Sequence, residues 1–511
     1  MPRASVNASF ARKELNTYLP LYTTIEDALD GSVAVKAKRA KYLPIPNAAD
    51  TSLGNKARYD AYLTRAVFYA VTRRVLAGFV GEIFDRDPVI TVPPAMQEFV
   101  DDATGEGVGL VQVAKQCVRA ALAFGRIGLY VDYPNTNGAT TKKELGEGVR
   151  PIVSTYSAKQ IINWRTRKVN AKTMLCLIVL EEEFDTSDNG FEAKKGKQWR
   201  VLRLDAANKY TVEFYRENTG SQMVDALGNV IDFPIMPTDA DGKPFEEIPF
   251  KFIGSETNTA EIDYPPLFDM ADMNMAHYRN SADYEESVFL VGQPTPVVTG
   301  LSETWADKYF AEGIGLGSRA AIPLPVGASA DLLQAKESSM GKEAMEMKER
   351  QMVALGARLA QQQKVERTAT EAGLESASEK STLSNISDNV SVAIEWALYF
   401  AARFQGITAD GEGKTVFRLN KEFSISFGSP EARQEAIDAW VSEAISYTEM
   451  RLALRNGGLA RLPDLQAKAE IKKDREAGEG PVNPMSLLKT ESELDANGDP
   501  VDKNTPASAT E

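Results

Sequence analysis

Two stretches of helical periodicity, 265–290 and 341–360, bracket a short turn-rich segment near the middle of the chain. This arrangement limits the possible folds more than any other feature of the sequence. Pro265-Pro266 is a helix start, because proline lacks an amide that the first turn would leave unbonded anyway. The helix it opens predicts a rod of roughly 40 Å at ~1.5 Å per residue, and Gly292, Pro294 and Pro296 stop it. The second helix places Met345, Met352, Leu355 and Leu359 on one face. Between the two, 297–333 reads as a compact module with a short helix at 304–310 and a strand at 319–324. Two long helices joined by a small module suggest a stalk with a tip.

Toward the N-terminus the first sixty residues are mixed, with a loop at Tyr42-Leu-Pro-Ile-Pro46. Leu63, Val67, Val71, Val75, Phe79 and Ile83 recur at helical spacing and predict one helix over 60–84, closed by Pro88. A second helix is expected over 109–124, ended by Gly125 and followed by a buried strand at 127–131. From 152 to 252 the pattern changes to strands at 174–183, 198–204 and 210–216, separated by turn clusters such as Asp185-Thr-Ser-Asp-Asn-Gly190. That order predicts an antiparallel meander. Beyond the stalk, Thr368-Ala-Thr-Glu371 fits a capping box. The helix it opens should run to about Gly406 on an apolar stripe of Ile386, Val390, Ala393, Ala397, Ala401 and Phe404. Phe423, Ile425 and Phe427 alternate as a strand, Ser429-Pro430 opens a helix over 431–446, and a shorter helix ends at Asn456-Gly-Gly458. From about 472 the chain is charged, interrupted by Gly and Pro and poor in aromatics, a composition expected to be disordered.

Chemistry-bearing motifs are scarce. The chain of 511 residues has one histidine, His277, and two cysteines, Cys117 and Cys176, both in apolar stretches and expected to be buried, inert thiols. A zinc site or a Ser/His triad therefore has little to be built from. Neither Gly105-Glu-Gly-Val-Gly109 nor Gly313-Ile-Gly-Leu-Gly317 has the Gly-Lys-Ser/Thr ending of a phosphate loop. Asp239-Ala-Asp-Gly242 lacks the ligand spacing of a calcium loop and reads as a turn. Glu181-Glu-Glu183 and Glu285-Glu286 read as solvated acidic faces, with a carboxylate metal site as the alternative. A net charge of −14 argues against sequence-independent gripping of phosphates, which needs clustered Lys and Arg; Arg73-Arg74 and Lys194-Lys195 are too small to form such a patch. The N-terminal MPRASVNASFARKEL has no signal-peptide core, and no apolar run approaches a membrane span, so a soluble, intracellular protein is expected. The residues alone lead to a multidomain, non-enzymatic α+β protein without cofactor or metal.

Several stretches, taken in order, go further. They are Tyr42-Leu-Pro-Ile-Pro46; Tyr62-Leu-Thr-Arg-Ala-Val-Phe68; Gly78-Phe-Val-Gly-Glu-Ile-Phe84 before Asp87-Pro88; and Phe124-Gly-Arg-Ile-Gly-Leu-Tyr-Val-Asp-Tyr-Pro134. Farther on come Asp283-Tyr-Glu-Glu-Ser-Val-Phe-Leu-Val-Gly-Gln-Pro-Thr295, Gln351-Met-Val-Ala-Leu-Gly-Ala-Arg358 and Ser381-Thr-Leu-Ser-Asn-Ile386. In this series the chain resembles the portal proteins of tailed bacteriophages, of the group long filed under a domain of unknown function. The resemblance spans roughly residues 25–460 and is loosest over 185–250.

It implies a ring subunit, usually one of twelve, with an α/β wing, a two-helix stem, a small α/β clip, a long kinked helix and a helical crown. On this chain that means an N-terminal segment 1–60, wing 61–264, stem helices 265–291 and 341–360 around a clip 292–340, and a tunnel loop 361–371. The long wing helix and returning strand would take 372–428, the crown 429–471 and the tail 472–511. The implied setting is the capsid portal vertex of a virion, with the chain made in the bacterial cytoplasm. Implied partners are further copies of the chain, translocating double-stranded DNA read without sequence specificity, the large terminase subunit, the major capsid protein, and head–tail adaptor or tail proteins.

The DNA-facing candidates are Gln361, Gln362, Gln363, Lys364 and Arg367, in a polar and nearly charge-balanced loop. Amides can touch phosphates in any register, whereas a strongly basic loop would meet a deep well at every ~1.7 Å of duplex. An ordinary helix–helix loop is the competing reading. Trp305, Tyr309 and Phe310 are either partner anchors on the clip or its local core. Another ring or shell protein of a virion, or a carboxylate-metal nuclease, are the alternative functions.

Overall fold

A computed structural model describes residues 7–133, 150–169, 171–186, 191–192, 194–217, 222–224, 229–231, 233–292, 295–310, 323–333, 339–360, 381–407, 415–421, 437–442, 444, 446–456 and 464–476. The fold is α+β, in two units, Met1–Phe423 and Ser424–Glu511.

The N-terminal residues of the first unit form helix α1 (Lys13–Asp30), which buries Leu15, Tyr22, Ile25, Ala28 and Leu29, and the short α2 (Ser32–Ala37). The helix expected over 60–84 is two: α3 (Leu53–Arg65) and α4 (Val71–Ile83). The chain leaves the helix at Ala66 (φ −53°, ψ 134°), so α3 crosses residue 60 and Val67 is left exposed. The strand β1 (Val89–Thr91) and the single-turn α5 (Gln97–Asp101) lead into α6 (Leu110–Phe124), closed by Gly125 in the left-handed region at φ 65°. A side chain at Gly125 would also collide with the backbone oxygens of Asp263 and Tyr264. Within the glycine loop before α6, Asp102 Oδ1 accepts from the amides of Gly105 and Gly107 at 2.9 and 3.0 Å. Those donors are satisfied by the chain's own carboxylate.

Two antiparallel sheets follow. The first orders β3 (Ile152–Ser157), β2 (Arg126–Asp132) and β9 (Phe250–Gly254). The second is the expected meander, β4 (Ile161–Val169), β5 (Lys172–Asp185), β6 (Lys195–Leu204), β7 (Tyr210–Arg216) and β8 (Met223–Val224). Alternation along β5 divides the Glu181-Glu-Glu183 run. Glu181 and Glu183 pair with Lys197 and Lys195 at 2.9 and 2.6 Å, while Glu182 enters a largely buried network between the sheets. There Arg200 donates to Glu182 and to Asp132, both at 2.7 Å. Tyr156 donates to the same Glu182 oxygen at 2.5 Å, and Tyr130 to Asp132 at 3.0 Å. Burial opposes the Arg200 charge, but Tyr156, Tyr130, Glu182 and Asp132 more than offset it and hold the guanidinium protonated. The solvated-face reading of this run is thus corrected at its middle residue.

Helix α7 (Phe268–Val291) is followed by strand β10 (Thr295–Thr299), helix α8 (Glu303–Phe310), strand β11 (Ser329–Leu333) and helix α9 (Met340–Ala360). The strand expected at 319–324 is not where the described sheet forms; β11 pairs with β10 instead, and 319–322 lie outside the described residues. Helix α10 (Thr382–Gln405) starts at Ser381, whose hydroxyl accepts from the Ser384 amide at 3.2 Å. The capping box at 368–371 lies outside the described residues. All six stripe residues of α10 are buried, Phe404 stacks on Tyr133, and Phe245 meets Phe404 with ring centroids 4.6 Å apart. Strand β12 (Val416–Arg418) pairs with β1; the alternation at 423–427 falls outside the described residues.

In the second unit, 437–441 are helical, and α11 (Tyr447–Asn456) and α12 (Asp464–Glu476) follow. Helix α12 carries regular structure past residue 472, where the sequence suggested disorder. Its run of Lys, Glu, Gln and Ala is strong helix-forming composition that outweighs the low aromatic content.

Candidate functional site

Helices α7 and α9 form an antiparallel pair. Space beside Gly341 is filled by Tyr284, His277 Nε2 lies 3.3 Å from Glu349 Oε1, and space beside Gly356 is filled by Met270. The pairs step evenly along both helices, so α9 runs alongside α7 from Tyr284 to Met270.

The sequence of α7 changes character along this length. Met270, Ala271, Asn274, Met275, His277, Tyr278, Ser281 and Ala282 are buried, whereas Val288, Phe289 and Leu290 are exposed. On α9 Met352 is buried, but Met340, Met347 and Val353 are exposed, Val353 at 72%.

The buried part is hooked into the body by side chains of α7 acting on the break between α3 and α4. Asn274 Nδ2 donates to the Tyr69 carbonyl at 2.8 Å, and its Oδ1 accepts from Thr72 N at 3.3 Å and Thr72 Oγ1 at 3.1 Å. Ser281 Oγ accepts from the Val67 amide at 3.2 Å. Tyr62 donates to Asp283 Oδ1 at 2.6 Å, and Arg65 pairs with Glu286 while lying 4.1 Å over the Phe289 ring. Burial, then the bond to Asp283, pushes the Tyr62 phenol well above its ordinary range; burial pushes Tyr278 up to about 12. These bonds explain the break. Side chains of α7 satisfy amide and carbonyl groups that a continuous helix would have bonded internally.

Of the clip aromatics, Trp305 donates through Nε1 to the Pro323 carbonyl at 3.3 Å and packs on Tyr309 with ring centroids 4.6 Å apart. Tyr309 is 42% exposed. The Phe310 side chain, and Gln361, Gln362, Gln363, Lys364 and Arg367, lie outside the described residues. The geometry therefore assigns Trp305 to packing inside the module and leaves Tyr309 at its surface.

Among the described residues no group of three or more His, Cys, Asp or Glu side chains could hold a metal ion, and no helix is long and apolar enough to cross a membrane. Asp239 Oδ1 accepts from the amides of Asp241 and Lys243 at 3.0 and 2.8 Å, the geometry of a turn. Cys117 is buried, and burial pushes its thiol up to about 12; Cys176 is only half-buried, which corrects the expectation for that residue.

Residues 266–405 match the profile of a family described as "Domain of unknown function (DUF4055)". The match opens just before α7 and ends with α10, so it encloses the helix pair, its module and the long helix after them. No curated protein matches the chain. Two solved structures are similar at 12% identity, each over 77% of this chain and 92% of theirs. They are described as the virion of a native gene transfer agent particle and the neck of such a particle computed with C12 symmetry, with TM-scores of 0.36 and 0.37. Superposition at that level carries no functional argument.

Proposed function

We propose that the chain is a portal subunit, one of twelve copies in a ring at a capsid vertex through which double-stranded DNA is packaged and ejected. The observation that carries this reading is the helix pair. One end of α7 is fastened into the body by Asn274, Ser281 and Asp283, while Val288, Phe289, Leu290, Met347 and Val353 stand exposed along the pair. Exposed apolar side chains spread along two packed helices of one copy call for a neighbour, and repetition of one contact around a closed ring supplies it. The ordered sequence resemblance supports the same reading.

In such a ring the chain does no catalysis. The terminase large subunit would dock on the module during packaging, head–tail adaptor or tail proteins would follow, and the major capsid protein would hold the outside. Gln361, Gln362 and Gln363 would meet the passing duplex with weak, register-free amide contacts, suited to an acidic subunit that guides DNA rather than holding it.

Two variants separate assembly from transport. M347E/V353E places charges at two exposed positions of α9 and should abolish higher assembly, measured by native mass spectrometry, with the subunit's circular dichroism unchanged. Q361A/Q362A/Q363A should assemble normally yet lower DNA packaging or genome retention. Assembly by the first variant, or normal packaging by the second, would contradict the proposal.

A further inference from the structure

We infer that a groove on one face of the five-stranded sheet docks an extended acidic peptide of a partner protein. The peptide's carboxylates and leucine-like side chains would succeed one another along the same side. The inference does not depend on the ring reading. The groove encloses about 1070 Å³, and the strand register orders its lining into successive rows. Arg165, Leu177 and Arg203 stand directly opposite one another on β4, β5 and β6, and opposed residues share a face. Arg167 lies one step to one side of this row, and the paired Val179 and Val201, both buried, lie one step to the other.

The chain has a net charge of −14, yet this face is locally basic. Among the described residues three guanidiniums line the groove against one carboxylate, Glu213. That carboxylate does little for them. Its Oε1 is 3.8 Å from Arg203 Nε, beyond hydrogen-bond range, and its Oε2 accepts from the Tyr215 hydroxyl at 2.7 Å. Arg167 donates through Nη2 to the neutral Asn208. Among the described residues the Arg165 guanidinium makes neither a hydrogen bond nor an ion pair. A carboxylate matches a guanidinium in both charge and fork geometry.

The rows set the pattern of the occupant. Alternate residues of a strand repeat at ~6.8 Å, and strands lie ~4.8 Å apart, so Arg165 and Arg203 flank β5 at ~9.6 Å. A peptide laid in extended form over β5 turns every second side chain to the sheet. Carboxylates at positions i and i+2 then face Arg167 and the Arg165–Arg203 pair. A leucine at i+4 reaches Val179 and Val201, which offer it apolar surface. A nucleic-acid backbone would bring phosphates to the guanidiniums but nothing to this aliphatic floor.

Two labelled peptides of one composition test this on the full-length chain. Glu-Ser-Glu-Ser-Leu-Ser-Leu carries its carboxylates and leucines on one side when extended; Glu-Ser-Glu-Leu-Ser-Leu-Ser carries them on opposite sides. Fluorescence anisotropy should show the first binding roughly tenfold more tightly, the effect of burying part of two leucines. R165M/R167M, with unchanged circular dichroism, should weaken the first peptide roughly tenfold, as expected for two partly exposed ion pairs. Cys176 lines the groove while Cys117 is buried in α6, so a thiol reagent reads occupancy through one cysteine. Bound peptide should slow Cys176 labelling in proportion to occupancy. The peptide comparison and the labelling both use the unaltered chain, so they decide the matter even where the double variant fails to fold. Equal affinity for the two peptides, no binding of the first, or Cys176 labelling indifferent to bound peptide overturns the inference. So does displacement of the peptide by an oligothymidylate of equal charge, which would make this face a nucleic-acid surface.

Discussion

Replacing Asn274 with leucine should destabilise the first unit by about 3 kcal/mol and loosen α7 from the body. Leucine fills nearly the same space, so the effect isolates the polar hook from packing. Asn274 is fully buried, and its loss strands the amide and hydroxyl of buried Thr72 and leaves the Tyr69 carbonyl only its 2.8 Å bond from the Val71 amide. Each buried polar group left unpaired costs ~1–3 kcal/mol. Hydrogen exchange should locate the change: protection falls in residues 66–72 and along α7, while β2 and α10 keep theirs. Asn280→Leu, on the same helix at a half-buried position that bonds to nothing in the break, should cost less than ~0.5 kcal/mol. If the two variants proved equally stable, the hook would not be what sets the break.

Arg200→Met is the second large effect, again about 3 kcal/mol, the lower end of the range for breaking a buried ion pair because some water reaches this one. Arg200, Glu182 and Asp132 have side chains 19%, 16% and 27% exposed. Methionine keeps an unbranched apolar side chain but loses the guanidinium that lies 4.9 Å over the Phe214 ring, and it leaves Glu182 and Asp132 without a cation. R200M/E182Q/D132N should recover at least ~1 kcal/mol of the loss, because neutral amides no longer repel. Urea denaturation followed by tryptophan fluorescence measures both. A triple variant weaker than R200M would show that the network acts through packing alone.

The sequence shows some of this plainly and hides the rest for physical reasons. Helices α7, α9 and α10 are visible because each carries its apolar residues at a local helical period, as Ile386, Val390 and Ala393 do. The break between α3 and α4 is invisible, since its cause, Asn274 and Ser281, lies some two hundred residues away. Read locally, 60–84 is good helix throughout. The Glu181-Glu-Glu183 run looks like one acidic face until β5 turns alternate residues to opposite sides, which hides the Arg200 network in plain composition. Trp305 could be read either way because its partner, the Pro323 carbonyl, is brought near only by the fold of the module. The nearness of Arg165, Arg167 and Arg203 has no linear signature, since β4 supplies two of them and β6 the third. The helical periodicity of the candidate site was therefore legible, while the polar bonds that fasten it were not.

The central claim is that copies of this chain close into a ring with the α7–α9 pairs around a channel. A cryo-electron-microscopy reconstruction of the purified full-length chain tests it most directly. The account predicts a closed ring of twelve copies, its channel lined by these helix pairs and its β10–α8–β11 module projecting at one end. Monomers under all assembly conditions, a closed shell, or a ring with α7 and α9 turned to its outside would contradict it.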